Sequence, residues 1–128
     1  MVKDKAYYDA LTHEIIGCAY RVGKILGPGF LEKVYEKALA IEIVSSGLQI
    51  QTQVPLTVYY QGQIVGEYCA DMLVENDIIL ELKAVKALEP IHLAQCQNYL
   101  KSTDKKLGLV INFGSEKVKI RRVVNGIS

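Results

Sequence analysis

No apolar run in this chain approaches the roughly 18 to 20 residues that a helix needs to cross a bilayer, although half of its 128 residues are apolar. That apolar content belongs to a buried core. The opening Met-Val-Lys-Asp-Lys also lacks the apolar centre of an export signal, which leads to the expectation of a cytoplasmic protein without membrane contact. Cysteine is scarce, and Cys18, Cys69 and Cys96 are odd in number, widely spaced and set among apolar neighbours. They read as buried free thiols rather than as a disulfide framework. The two histidines, His13 and His92, have no zinc-ligand partners at suitable spacing. Gly27-Pro28-Gly29 neither follows a strand nor leads into Lys-Ser or Lys-Thr, so it is not a phosphate loop. There is no serine nucleophile elbow and no cysteine placed by sequence context with a histidine. Nucleotide-cofactor chemistry and serine or cysteine acyl transfer thereby lose their usual carriers.

A large net charge is missing too. The total of +1 argues against a protein that coats nucleic acid without specificity. It conceals an uneven distribution, because residues 1 to 100 carry 8 Lys/Arg against 12 Asp/Glu, a balance of −4, and residues 101 to 128 carry 7 against 2, a balance of +5. Lys117, Lys119, Arg121 and Arg122 form the densest part of that basic end. Two readings fit them: a surface that meets phosphates, or an edge hairpin whose lysines guard against strand-to-strand aggregation.

What is present is the composition of an ordinary globular protein, at a length that suits one domain spanning 1 to 128. From Asp4, a plausible cap, apolar residues recur at helical spacing to about Leu26. Gly27-Pro28-Gly29 breaks that helix, because Pro28 lacks an amide donor and glycine accepts turn conformations. A second helix is expected from Phe30 to Ser46, with Gly47 as its stop. Alternating, β-rich residues follow: Ile50 to Gln53, Leu56 to Tyr60 and Ile64 to Val74, then a turn at Glu75-Asn76-Asp77 and a strand from Ile78 to Val85. Pro90 suits the first turn of a third helix reaching about Ser102. Leu107 to Phe113 and Lys117 to Val123 complete a central mixed sheet flanked by helices, in the order α-α-β-β-β-β-α-β-β, an α+β or mixed α/β fold.

The strand from Ile78 to Val85 reads as buried, yet Glu81 and Lys83 interrupt it. Strand side chains alternate, so these two project from one face while Ile78, Leu80 and Leu82 project from the other. One face is expected to be core and the other to hold chemistry. With Asn76 at the tip of a loop of about three residues, Asp71 falls opposite Glu81 on the neighbouring strand. Two acids so placed repel unless a cation joins them.

An Asp, about ten residues, then Glu-x-Lys, followed by a helix and a further strand, resembles the PD-(D/E)-x-K nuclease superfamily and its restriction-endonuclease-like fold. Gly29-Phe30-Leu31-Glu32-Lys33-Val34-Tyr35 is similar to the Gly-x-x-Glu-x-x-Tyr signature of the GxxExxY protein family within it. Ala70 stands where the superfamily has its nominal Pro, a position that is not a ligand. The resemblance implies a metal-dependent nuclease. Asp71, Glu81 and the backbone carbonyl of Leu82 would hold Mg²⁺ or Mn²⁺, with Glu32 as an additional acid. A hard divalent cation suits phosphodiester cleavage because it neutralises phosphate charge and organises water for in-line attack. Lys83 would orient or deprotonate that water.

Each of these residues also has a plain structural reading. Asp71, Glu81 and Lys83 would form surface salt bridges, and Glu32 would favour a helix dipole from the first turn. Tyr35, on the same helical face as Glu32, would pack in the core or steady the site with its hydroxyl. On the third helix His92, Gln95 and Tyr99 share a face apart from Leu93, Cys96 and Leu100. The resemblance implies that Gln95 and Tyr99 support the site or touch nucleic acid. The expected partner is nucleic acid, DNA rather than RNA, with a homodimer suited to cutting both strands of a duplex. The rivals are a binding module of the same fold and a protein-interaction subunit using the eight tyrosines.

Overall fold

A computed structural model describes residues 2–126. Asp4 accepts a hydrogen bond from the amide of Tyr7 at 3.0 Å and so caps α1, Lys5–Leu26. Gly27 and Gly29, at φ 69° and 114°, then turn the chain into α2, Glu32–Ser45. Helix α2 begins two residues later than its periodicity suggests, because Phe30 and Leu31 belong to the corner. The strands are β1, Ile50–Tyr60, β2, Gln63–Val74, and β3, Ile78–Lys83. Helix α3, Pro90–Thr103, leads to β4, Leu107–Asn112, and β5, Lys119–Val124. The element order is the expected one, with the Ile50 and Leu56 segments fused into one strand past Pro55.

The five strands lie in sequence order, antiparallel except for β3 beside β4, where α3 makes the crossover. A parallel pair needs such a crossover, and it places α3 on one face of the sheet. Ile78, Leu80 and Leu82 point the other way, into a core with Ile15 of α1 and Leu39 and Ile43 of α2. The α3 face departs from the expectation of one core face and one chemical face. Ile79 and Val110 pack there against Cys96 and Leu100 in a second, smaller core. Glu81 therefore emerges within packed apolar surface.

Two thiols, Cys18 and Cys96, are buried as expected, whereas Cys69 is exposed. Its apolar sequence neighbours misled, because this part of β2 pairs with β1 beyond the end of β3 and no second layer covers Cys69. None of the described helices is long and apolar enough to cross a membrane.

Candidate active site

The ladder between β2 and β3 is short, pairing only Met72, Leu73 and Val74 with Leu80, Ile79 and Ile78. At the next step, where Asp71 lies opposite Glu81, the strands part. The Asp71 carboxylate fills the opening, its Oδ2 accepting from the Leu82 amide at 2.7 Å in place of a backbone carbonyl. Across the other edge of β2, Gln53 takes φ 52° and register pairs are made only on either side of it, Thr52 with Met72 and Val54 with Ala70. Side-chain alternation slips there: Met72 joins the α1/α2 core while Ala70 joins the α3 core. Asp71 occupies the point where the sheet splits.

Glu81 is only 6 % exposed, and its Oε1 is the one buried side-chain oxygen or nitrogen without a hydrogen-bond partner among the described residues. Burial, then the neighbouring charge of Asp71, push its carboxyl from the ordinary 4.5 up to about 8. Asp71 is raised as well, by burial first and then by the charges of Glu36 and Glu32, while its bond from Leu82 pulls the other way. The Lys83 ammonium opposes the rise at both acids. It takes part in no ion pair among the described residues. The two acids thus stand close enough to repel, with no hydrogen bond of ordinary geometry between their carboxyl groups.

Lys83 is held from behind. Its carbonyl accepts from the amide of Phe113 at 2.8 Å, so by strand alternation Leu82 presents its own carbonyl and amide to the Asp71 side. Asn112, fully buried, clasps the next turn of chain. Its Oδ1 accepts from Val85 and Gly114, each at 3.0 Å, and its Nδ2 donates to the Val85 carbonyl at 2.9 Å. A Cβ on Gly114 would fall 2.4 Å from Val85 backbone atoms, so only glycine lets the two segments approach this closely.

Tyr35 joins the same structure. Its hydroxyl donates to the Gly27 carbonyl at 2.5 Å and accepts from the Phe30 amide at 3.2 Å, closing the corner, while its ring stacks on Phe113 at 4.7 Å. Glu32 opens α2 as an exposed first-turn acid that acts on Asp71 through its charge. Glu36 carries no sequence motif of its own. It is buried one turn further on, accepting from Gln53 Nε2 at 2.6 Å and Lys33 Nζ at 3.0 Å, and its charge acts on Asp71 ahead of that of Glu32. Its spacing of four from Glu32 was the available signal.

On α3, Cys96 and Tyr99 lie over Glu81. Burial and the charge of Glu81 push the Cys96 thiol up to about 12 and raise the Tyr99 hydroxyl. Gln95 is exposed and shares a pocket with Tyr99, whereas His92 turns back to cap α3, its Nδ1 accepting from the Glu89 amide at 3.0 Å. The basic residues of the C-terminal strand do not form one patch. Arg121 pairs across the sheet with Val110, which neighbours Glu81, and Lys119 pairs with Asn112, which neighbours Lys83. These two face α3, while Arg122 turns to α1 and bonds Asp9 at 2.9 Å. Lys117 lies in the loop before β5, at a hollow shared with Tyr20 and Lys24 of α1.

A pair of opposed acids at a split in a mixed sheet, with a lysine two residues beyond the second, defines a class. Residues 9–123 match the family model of the PD-(D/E)XK nuclease superfamily, and the chain belongs to that superfamily. Nucleases of this superfamily generally use divalent metals. The fold is similar to that in the crystal structure of SSO0001, at TM-score 0.58 and 15 % identity over 76 % of this chain. It is also similar to an alkaline exonuclease, LHK-Exo, from Laribacter hongkongensis, at TM-score 0.53 and 12 % identity over 98 % of this chain. The chain spans 52 % of SSO0001 and 72 % of the exonuclease. No curated protein matches it in sequence.

The donor set fits a hard cation in part. A buried carboxyl with an orphaned oxygen, Glu81, and a half-buried one, Asp71, both with raised proton affinity, are what a divalent ion would relieve. Among the described residues no three His, Cys, Asp or Glu side chains converge as a closed metal cage. An ion at this position would keep places for water and substrate.

Proposed function

We propose that this protein is a nuclease that hydrolyses phosphodiester bonds in nucleic acid with Mg²⁺ or Mn²⁺ held by Asp71 and Glu81. The observation that carries the reading is the orphaned Oε1 of Glu81, buried beside a second carboxyl with Lys83 two residues on. Burying a carboxyl oxygen without a hydrogen-bond partner is costly, and a bound cation would offset that cost. The cation would neutralise charge on the phosphate at the point where Asp71 and Glu81 meet. The Leu82 carbonyl faces the same side and would add an oxygen donor, and Glu32, exposed at the start of α2 and acting on Asp71 through its charge, would join as an additional acid by moving toward the ion. Lys83 orients the attacking water and stabilises charge on the phosphate. Asn112 and Tyr35 position Lys83 through Val85 and Phe113. Gln95 and Tyr99 bound the site from α3, and Lys119 and Arg121 extend its positive surface toward the edge strand.

Gly29, Glu32 and Tyr35 support placement in the GxxExxY group, and the free thiols suit a single cytoplasmic domain. DNA is the favoured substrate, and a two-fold dimer would bring two such sites to a duplex. The test is a cleavage assay on mixed DNA and RNA with each metal, comparing wild type with Lys83→Met and Asp71→Asn. Either substitution should lower the rate by about 10²- to 10⁴-fold while the fold is retained. Unchanged cleavage by both variants would remove these residues from the chemistry.

The open acid set favours one rival, a module that binds nucleic acid without cutting it. It would show salt-dependent affinity with no metal-dependent cleavage.

A further inference from the structure

Near the split in the sheet, between the β1–β2 pair and α3, lies a cavity of about 330 Å³ whose lining includes Val58, Tyr68, Gln95, Asn98, Tyr99 and Lys101. We propose that it receives an unpaired nucleobase on the ring of Tyr68, which makes single-stranded or frayed nucleic acid the substrate class. The inference rests on the hydrolase reading and adds a residue and a substrate preference to it.

Tyr68 is three residues from Asp71 along β2, about 10 Å at the usual strand rise. The pocket is thus next to the acids, and the charges of Glu81 and Asp71 reach the Tyr99 hydroxyl at its wall. The rings of Tyr68 and Tyr99 have centroids 5.7 Å apart and are tilted by 53°, which leaves no slot for a base between them. The platform is therefore the exposed part of the Tyr68 ring that neither Tyr99 nor the backbone at Gly66 covers. A tyrosine 50 % exposed on a strand, with an aromatic neighbour fixing its ring, loses little freedom when a base stacks on it. Tyr68 and Tyr99 make no hydrogen bond through their hydroxyls, and Gln95 and Asn98 make none through their amides, among the described residues. Lys101 has no ion pair there either. Two amides can read a base edge, and one ammonium can hold the phosphate beside it. A rim so polar and cationic suits a nucleotide better than an apolar protein surface. A base inside a duplex has both faces covered by its neighbours and cannot use the platform.

The experiment measures binding by fluorescence anisotropy with three labelled probes of equal length: single-stranded oligo-deoxythymidine, its abasic counterpart, and a blunt duplex. Wild type, Tyr68→Leu and Tyr68→Phe are compared, with thermal melting as a control on folding, and cleavage of each probe is scored separately. Wild type should prefer the base-bearing single strand. Tyr68→Leu should lose that preference through about 5- to 100-fold weaker binding, while Tyr68→Phe keeps it. Equal affinity of wild type and Tyr68→Leu, or equal affinity for the thymidine and abasic strands, overturns the proposal even where cleavage proceeds. Tyr68-dependent base preference without any metal-dependent cleavage upholds the pocket and sinks the hydrolase reading instead. Failure of every probe to bind sinks both.

Discussion

The two faces of the central sheet are built to different ends. On the α1/α2 face, Ile78, Leu80 and Leu82 meet Ile15, Leu39 and Ile43 in a continuous apolar contact, and every one of these side chains is essentially closed to solvent. On the α3 face the same strand offers Ile79 to a smaller core and then Glu81 to a place with no hydrogen-bond partner for one of its oxygens. One face supplies stability, and on the reading proposed above the other sets part of it aside for chemistry. The alternation of a single strand is enough to separate the two tasks.

The contrast is broken most severely from the apolar side. Leu80→Ala should cost about 3 to 5 kcal/mol, read from chemical denaturation, because a wholly buried side chain leaves a cavity that three packed layers cannot close. Cleavage per folded molecule should survive it. On the chemical side the sign reverses. The Glu81 carboxyl is raised from 4.5 to about 8, so the metal-free folded protein keeps a proton that the unfolded chain releases between those values. The stability this neutral acid allows is full below about pH 4.5 and is lost as the pH rises through 8. Glu81→Gln should therefore match wild type near pH 5 and exceed it by roughly 2 to 4 kcal/mol near pH 9. A gap that is constant with pH would show that Glu81 does not carry the strained charge.

Much of this division was legible in the sequence. The period of two placed Glu81 and Lys83 together, and a three-residue turn at Glu75-Asn76-Asp77 set Asp71 opposite Glu81. Helix ends followed Asp4, Gly27 and Pro90, where local chemistry decides the backbone. What was not legible depends on segments distant in sequence. Asn112 looks like an ordinary strand residue until the chain after Lys83 folds against it, and Gly114 looks like any turn glycine until Val85 arrives. Glu36 was hidden behind its more conspicuous neighbour Glu32, because a spacing of four puts both acids on one helix face without telling which of them is buried against a strand. Cys69 was misread for a related reason: apolar neighbours in sequence say nothing about whether a second layer covers the strand.

The smallest effect comes from that same uncovered strand. Cys69→Ser should change stability by no more than about 0.5 kcal/mol. In the wild type Cys69 should react with a thiol reagent well before Cys18 and Cys96, and mass spectrometry of the labelled peptides would show the order.

The most direct measurement is calorimetric titration of Mg²⁺ and Mn²⁺ into the metal-free wild type and into Glu81→Gln, across pH 6 to 9 in buffers of different ionisation heat. If two acids at the parting of β2 and β3 hold the ion, wild type binds with release of a proton, its affinity climbs toward pH 8 and above, and the variant loses both. Equal uptake by the two proteins, with no proton released, would contradict the account.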